Sequence, residues 1–105
     1  MEKFTLSRPI KDGDKVITEV EYDLESLNFK HLADINKQFV RIVGSEQAAQ
    51  TMVKAMDETY QMLVLSKASN TPFEVISELS LKDSVRLGLR VQSFLFGSES
   101  ENEKV

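Results

Sequence analysis

The sequence predicts a mainly α protein of the α+β class, with an N-terminal β-hairpin followed by about four helices. Three observations carry this. Residues up to about 22 alternate apolar and polar side chains, as a half-buried strand does. From about Asn28 onward the apolar residues recur every three or four positions, the spacing of one helix face. Start and stop residues then divide this helical part: Gly44, Thr71-Pro72, Ser80 and Gly97.

The hairpin is read from two runs. Phe4-Thr5-Leu6 alternates, and in Val16 to Tyr22 one face holds Val16, Thr18, Val20 and Tyr22 while Ile17, Glu19 and Glu21 take the other. Between them Pro9 to Asp14 predicts a long polar loop, with Asp12-Gly13 supplying the positive φ a turn needs. Two strands alone are marginal in water, so the hairpin must lean on the helices or on a second chain.

The first helix carries Phe29, Leu32, Ile35, Asn36, Phe39, Ile42 and Val43 at helical spacing and stops at Gly44. Ser45 then opens a long second helix reaching about Ala68, with Ala49, Met52, Val53, Met56, Tyr60, Leu63 and Val64 on its inner face. A short third helix starts with Thr71 as cap, Pro72 in the first turn and Glu74 completing a capping box, and turns Phe73, Ile76 and Leu79 inward. Ser80 and Asp83 open a fourth, whose apolar set is Leu81, Val85, Leu87, Leu89, Val91, Phe94 and Leu95, ended by Gly97. The expected organisation is one domain over 1–97, with the hairpin at about 3–22 and the helical part at about 27–97. Residues 98–105 read as a disordered acidic tail.

Composition narrows the function. At 105 residues and 41% hydrophobic content the chain can bury a core without staples. With no cysteine there is no thiolate nucleophile, zinc finger or disulfide framework. Thirteen basic residues against seventeen acidic ones, net −4, argue against nucleic acid as a partner. The longest apolar run is Met62-Leu63-Val64-Leu65, so no membrane span is expected, and no secretory leader is visible. Lys82, Arg86 and Arg90 line one helix face, but the turn before them is too short for a DNA-binding helix-turn-helix. His31 is the one histidine, the four glycines are scattered, and no catalytic, cofactor-binding or metal constellation emerges. Gly88, inside a helix, reads as a site of close helix packing.

Two surfaces stand out instead. The methionines of the second helix either fill an irregular core, the default for Met52 and Met56 on the inner stripe, or, with Met62 off that stripe, make an adaptable apolar groove beside Met56, Tyr60 and Met62. The hairpin edge at Val16, Thr18 and Val20 offers a place for strand pairing, so a homo-oligomer is expected.

The opening run Phe4-Thr5-Leu6-Ser7-Arg8-Pro9-Ile10, then Asp12-Gly13 and Val16-Ile17-Thr18-Glu19-Val20, resembles the start of the phage tail assembly chaperones related to the E-type chaperones of contractile-tailed phages. Leu79-Ser80-Leu81-Lys82-Asp83 with Val91, Phe94 and Leu95 is similar to that family's closing helix. Glu21 to Ser26 departs from it, where the family commonly has a basic stretch with Pro and Gly. The resemblance implies a non-catalytic protein of the host cell cytoplasm. It would bind the tape measure protein, keep it soluble until the tail tube polymerises, and be absent from the mature virion. The alternatives are a minor structural phage protein retained in the virion and a small DNA-binding regulator.

Overall fold

A computed structural model describes the backbone of residues 1–103 and the side chains of residues 1–97. The expected acidic tail at 98–105 lies outside the described side chains. Strands β1 (Glu2–Asp12) and β2 (Lys15–Tyr22) form an antiparallel hairpin, followed by helices α1 (Phe29–Val43), α2 (Ser45–Gln50), α3 (Glu58–Ser69), α4 (Phe73–Ile76) and α5 (Leu81–Glu103). Single 3-10 turns occupy Leu24–Ser26 and Lys54–Met56. The α+β class and the hairpin-then-helices order are those the sequence predicts.

The hairpin turn is tight, not long. β1 continues through Pro9 to Asp12, which pairs with Lys15, and Gly13 turns the chain at φ 65°. Pro9 is tolerated because the register slips between Thr5 and Ile10, so residues 6–9 leave the regular ladder and no sheet bond is asked of its missing N–H. The same slip divides the face of β2. Val20 and Tyr22 are buried and Ile17 is half-buried, whereas Val16 and Thr18 are exposed.

α1 begins where Asn28 accepts a bond from the Lys30 N–H, while the Asn28 N–H donates to Nδ1 of His31. His31 is therefore part of a helix cap. Gly44, at φ 91°, ends the helix as expected. The long second helix read from the sequence is two helices, α2 and α3, separated by Thr51 to Asp57. Asp57 accepts from the Tyr60 N–H at 3.0 Å and so starts a new helix, which is what an aspartate does better than sitting in a helix interior. The apolar spacing of Met52, Val53, Met56 and Tyr60 runs straight through the break, so periodicity could not reveal it. α4 likewise forms without its expected cap: the Thr71 hydroxyl donates to the Ser69 carbonyl instead. Nor does Gly97 end α5, whose backbone continues to Glu103.

α3 is the central element. Tyr60 through Leu65 are all buried, as a helix enclosed on every side must be. α1 packs on it through Ile35 and Phe39, the latter edge-to-face on Tyr60 with ring centroids 5.6 Å apart. The Lys67 ammonium of α3 pairs with the Asp34 carboxylate of α1 at the rim of that contact. α5 covers another side with Leu87 and Val91, both fully buried. Gly88 makes room for the side-chain amide of Gln61: a Cβ there would stand 2.5 Å from Oε1 of Gln61.

The hairpin is fastened to α5 at two points. Arg90 donates to the buried Tyr22 hydroxyl at 2.9 Å and lies 4.9 Å over the Phe4 ring. At the other, the Ser7 N–H, freed by the register slip, donates to both carboxylate oxygens of Asp83 at 2.9 and 3.1 Å. Asp83 is 1% exposed. Burial raises its pKa, but the N–H groups of Ser7 and Arg8 and the hydroxyls of Ser7 and Ser80 outweigh that and hold it below the ordinary aspartate value. Ser80 caps α5 by accepting from the Asp83 N–H at 3.1 Å.

Replacing Asp83 by alanine removes the charge-assisted bonds from the part-buried Ser7 N–H and with them this fastening of the hairpin to α5, and should cost about 1.5–3 kcal/mol in urea unfolding at neutral pH. Because the folded-state pKa is depressed, this contribution is complete above about pH 4 and fades as acid protonates the folded carboxylate. The stability gap between wild type and Asp83→Ala should therefore narrow in acid; a gap unchanged from pH 7 to the acid limit would contradict the assignment.

Candidate apolar docking groove

The break before α3 reshapes the surface. Released from a helix, Met52 is 94% and Met56 60% exposed. Met56 then forms one wall of an open groove of about 520 Å³ whose other wall is α5. Leu81, Val85 and Leu89 line that second wall at intervals of four residues, and all three are more than half exposed. Phe73, Ile76, Leu79 and Met62 supply the apolar floor. Phe96 extends the α5 stripe beyond the groove, so from Leu81 to Phe96 it measures about 22 Å at a helical rise of about 1.5 Å per residue.

The floor is held by one amide. Gln61, 7% exposed, donates from Nε2 to the Ala55 carbonyl at 2.9 Å and to Oε1 of Gln92 at 3.2 Å. It thus ties the Lys54–Met56 turn to α3 and to α5 and sets the spacing between the walls. The groove surface is mainly apolar, its buried amide is already satisfied, and Glu58 and Ser77 add exposed polar groups at its edge. Such a site has little chemistry to offer beyond shape and desolvation.

The residues singled out from the sequence divide between surface and core. Met56 and Met62 share this groove, Met56 at its mouth and Met62, 9% exposed, in its floor. Tyr60 is not in it: it points to the α1 side against Phe39, and burial there raises the pKa of its hydroxyl. On the hairpin, Val16 and Thr18 are exposed on β2 and Val20 is 4% exposed, packed beneath the sheet. The α5 wall was missed as a surface because Leu81, Val85 and Leu89 were assigned to the same inward set as Leu87 and Val91. Those two groups lie on different helix faces, and the separation was available from the angular spacing alone.

Among the described residues no group of three or more His, Asp or Glu is placed to hold a metal ion, and no helix is long and apolar enough to cross a membrane.

Exposure separates substitutions in the groove's α5 wall from those in its floor and behind it. Val85→Asp should leave the urea midpoint nearly unchanged, within about 0.5 kcal/mol, because the side chain is half in solvent. Met62→Asp puts a charge in the floor and should lose at least about 3 kcal/mol. Gly88→Val, whose side chain takes the space of the Gln61 amide and displaces it from Ala55 and Gln92, should cost about 2 kcal/mol by overpacking. Equal midpoints for all three proteins would mean that the groove is not built as described.

No curated protein and no solved structure matches the chain. A family model does, described as phage tail assembly chaperone proteins, E, or 41 or 14, and it spans residues 3–95. That stretch runs from the start of the hairpin to the last described turns of α5, and it contains both walls of the groove and the Ser7–Asp83 fastening. The chain belongs to the phage tail assembly chaperone family.

Proposed function

We propose that this protein binds the tape measure protein of a phage tail through the groove between Met56 and the Leu81–Val85–Leu89 stripe, and keeps it soluble until the tail tube polymerises around it. The observation that carries the proposal is a chaperone-family chain with a large exposed apolar groove walled partly by methionines. A long helical protein waiting for its tube exposes rows of apolar side chains that aggregate unless covered. Methionines suit such a client because their unbranched, polarizable side chains repack against varied surfaces. No catalysis is needed, and the protein acts in the host cytoplasm and leaves before the virion is complete.

Self-association belongs to the same proposal. The sheet has two strands only, so the outer edge of β2 near the exposed Val16 and Thr18 has no third strand among the described residues. A second copy pairing there would cover that edge.

Co-expression with a tape measure protein tests the reading. That protein should be soluble and co-elute with the wild type, and should fall into the pellet when the chaperone carries Val85→Asp with Leu89→Asp. A tape measure protein that stays insoluble with the wild type, or stays soluble with the double variant, would overturn it.

A further inference from the structure

The cations bordering the apolar faces have an unexpected distribution for a chain of net charge −4. On α5, Lys82 and Arg86 are exposed one turn apart, on the side of the Leu81–Val85–Leu89 stripe away from Gly88 and therefore away from α3. They form the outer rim of the groove, and among the described residues neither has an ion-pair partner. Among the described side chains of α5, which end at Gly97, the one acid is Asp83, and it is buried and committed to Ser7. α1 repeats the arrangement: beside its exposed Phe29 and Val40 lie the exposed Lys30, Lys37 and Arg41. The excess of acids is carried elsewhere, on the strands and connecting segments and, at the groove, by Glu58 on the opposite wall.

From this charge pattern we infer that the occupant of the groove is an amphipathic helix of the partner chain with an acidic flank, laid along α5 so that its carboxylates meet Lys82 and Arg86. This rests on the chaperone reading of the groove and adds what selects the client segment. The apolar stripe supplies contact area, and the rim cations set the orientation, since carboxylates opposite Glu58 are repelled while those opposite Lys82 and Arg86 are attracted. A second copy of this chain fits poorly. Its α5 and α1 both present apolar residues flanked by cations, and face-to-face packing would bring like charges together.

The test uses two fluorescein-labelled helical peptides of about 18 residues, sharing one leucine stripe at helical spacing and flanked by Glu in one and by Lys in the other. Anisotropy titration against the full chain at low salt reads the preference. The net charge of the whole protein favours the Lys-flanked peptide, so the inference makes the opposite demand: about tenfold tighter binding of the Glu-flanked one. Lys82→Glu with Arg86→Glu should reverse that order, and Val85→Asp should abolish binding of both peptides. Equal affinities, tighter binding of the Lys-flanked peptide, or a preference that survives Lys82→Glu with Arg86→Glu would overturn the inference. So would a wild-type dimer on size exclusion that Val85→Asp dissociates, since a second copy would then own the groove. If co-expression still rescues the tape measure protein while the peptides show no preference, the chaperone function stands and the acidic flank falls.

Discussion

The contact between the Asp83 carboxylate and the Ser7 N–H holds the two halves of this fold in one geometry. It spans 76 residues, is part-buried with Asp83 itself 1% exposed, and joins the slipped part of β1 to the first turn of α5. A buried carboxylate that accepts several bonds is stable only while those bonds persist, and its position near a helix N-terminus adds the favourable end of the helix dipole. Through it the register slip, which would otherwise leave a strand N–H without a partner, becomes the point at which the hairpin docks. Arg90, bonded to Tyr22 two turns further along α5, makes the docking rigid by giving it a second point. The segments that carry the family resemblance, Leu6 to Ile10 and Leu79 to Asp83, are the ones that meet here. Their likeness to the family pattern therefore coincides with the fold's main long-range fastening.

From that fastening the groove follows. Once α5 is fixed along the hairpin, its Leu87 and Val91 face inward against α3, and its Leu81, Val85 and Leu89 are turned outward. α3 cannot also supply a partner for that outer stripe, since all of Tyr60 to Leu65 is already enclosed. The segment that could have covered it, Thr51 to Asp57, is instead lifted away by the helix break and pinned by Gln61 to the rim. An apolar stripe left open on a helix that is otherwise well packed is a surface the protein tolerates for a purpose. Under the function proposed above, that purpose is contact with a client.

The distribution of charge serves the same end. A net negative charge opposes the unspecific aggregation of a protein with exposed Leu, Val, Met and Phe side chains. On the inference drawn above, the cations beside the α5 stripe, Lys82 and Arg86, weaken that repulsion locally and admit a partner of the opposite sign. Among the described side chains, α1 and α5 carry more bases than acids, and the connections after β2 and between α4 and α5 carry more acids than bases.

Much of this was legible in the residues. Period-two alternation near Phe4 and Val20, helical spacing from Phe29 to Val43, Gly44 as a stop and Ser80 as a cap are local signals, and each reports local backbone geometry whatever surrounds it. They determined the hairpin-then-helices order, and the resemblance they carried pointed to the right family. Three things were decided only by tertiary structure. The break at Thr51–Asp57 interrupts an apolar period that continues through it, because the pattern records where apolar side chains fall and not whether the backbone between them stays helical. The slip in β1 exchanges exposed Val16 for half-buried Ile17, because one irregularity in pairing changes which face is inward. And the outward turn of Leu81, Val85 and Leu89 depends on which side of α5 the hairpin and α3 occupy. Periodicity names the apolar faces of a helix, but only the Ser7–Asp83 contact and the Gly88–Gln61 approach choose the one left open to solvent.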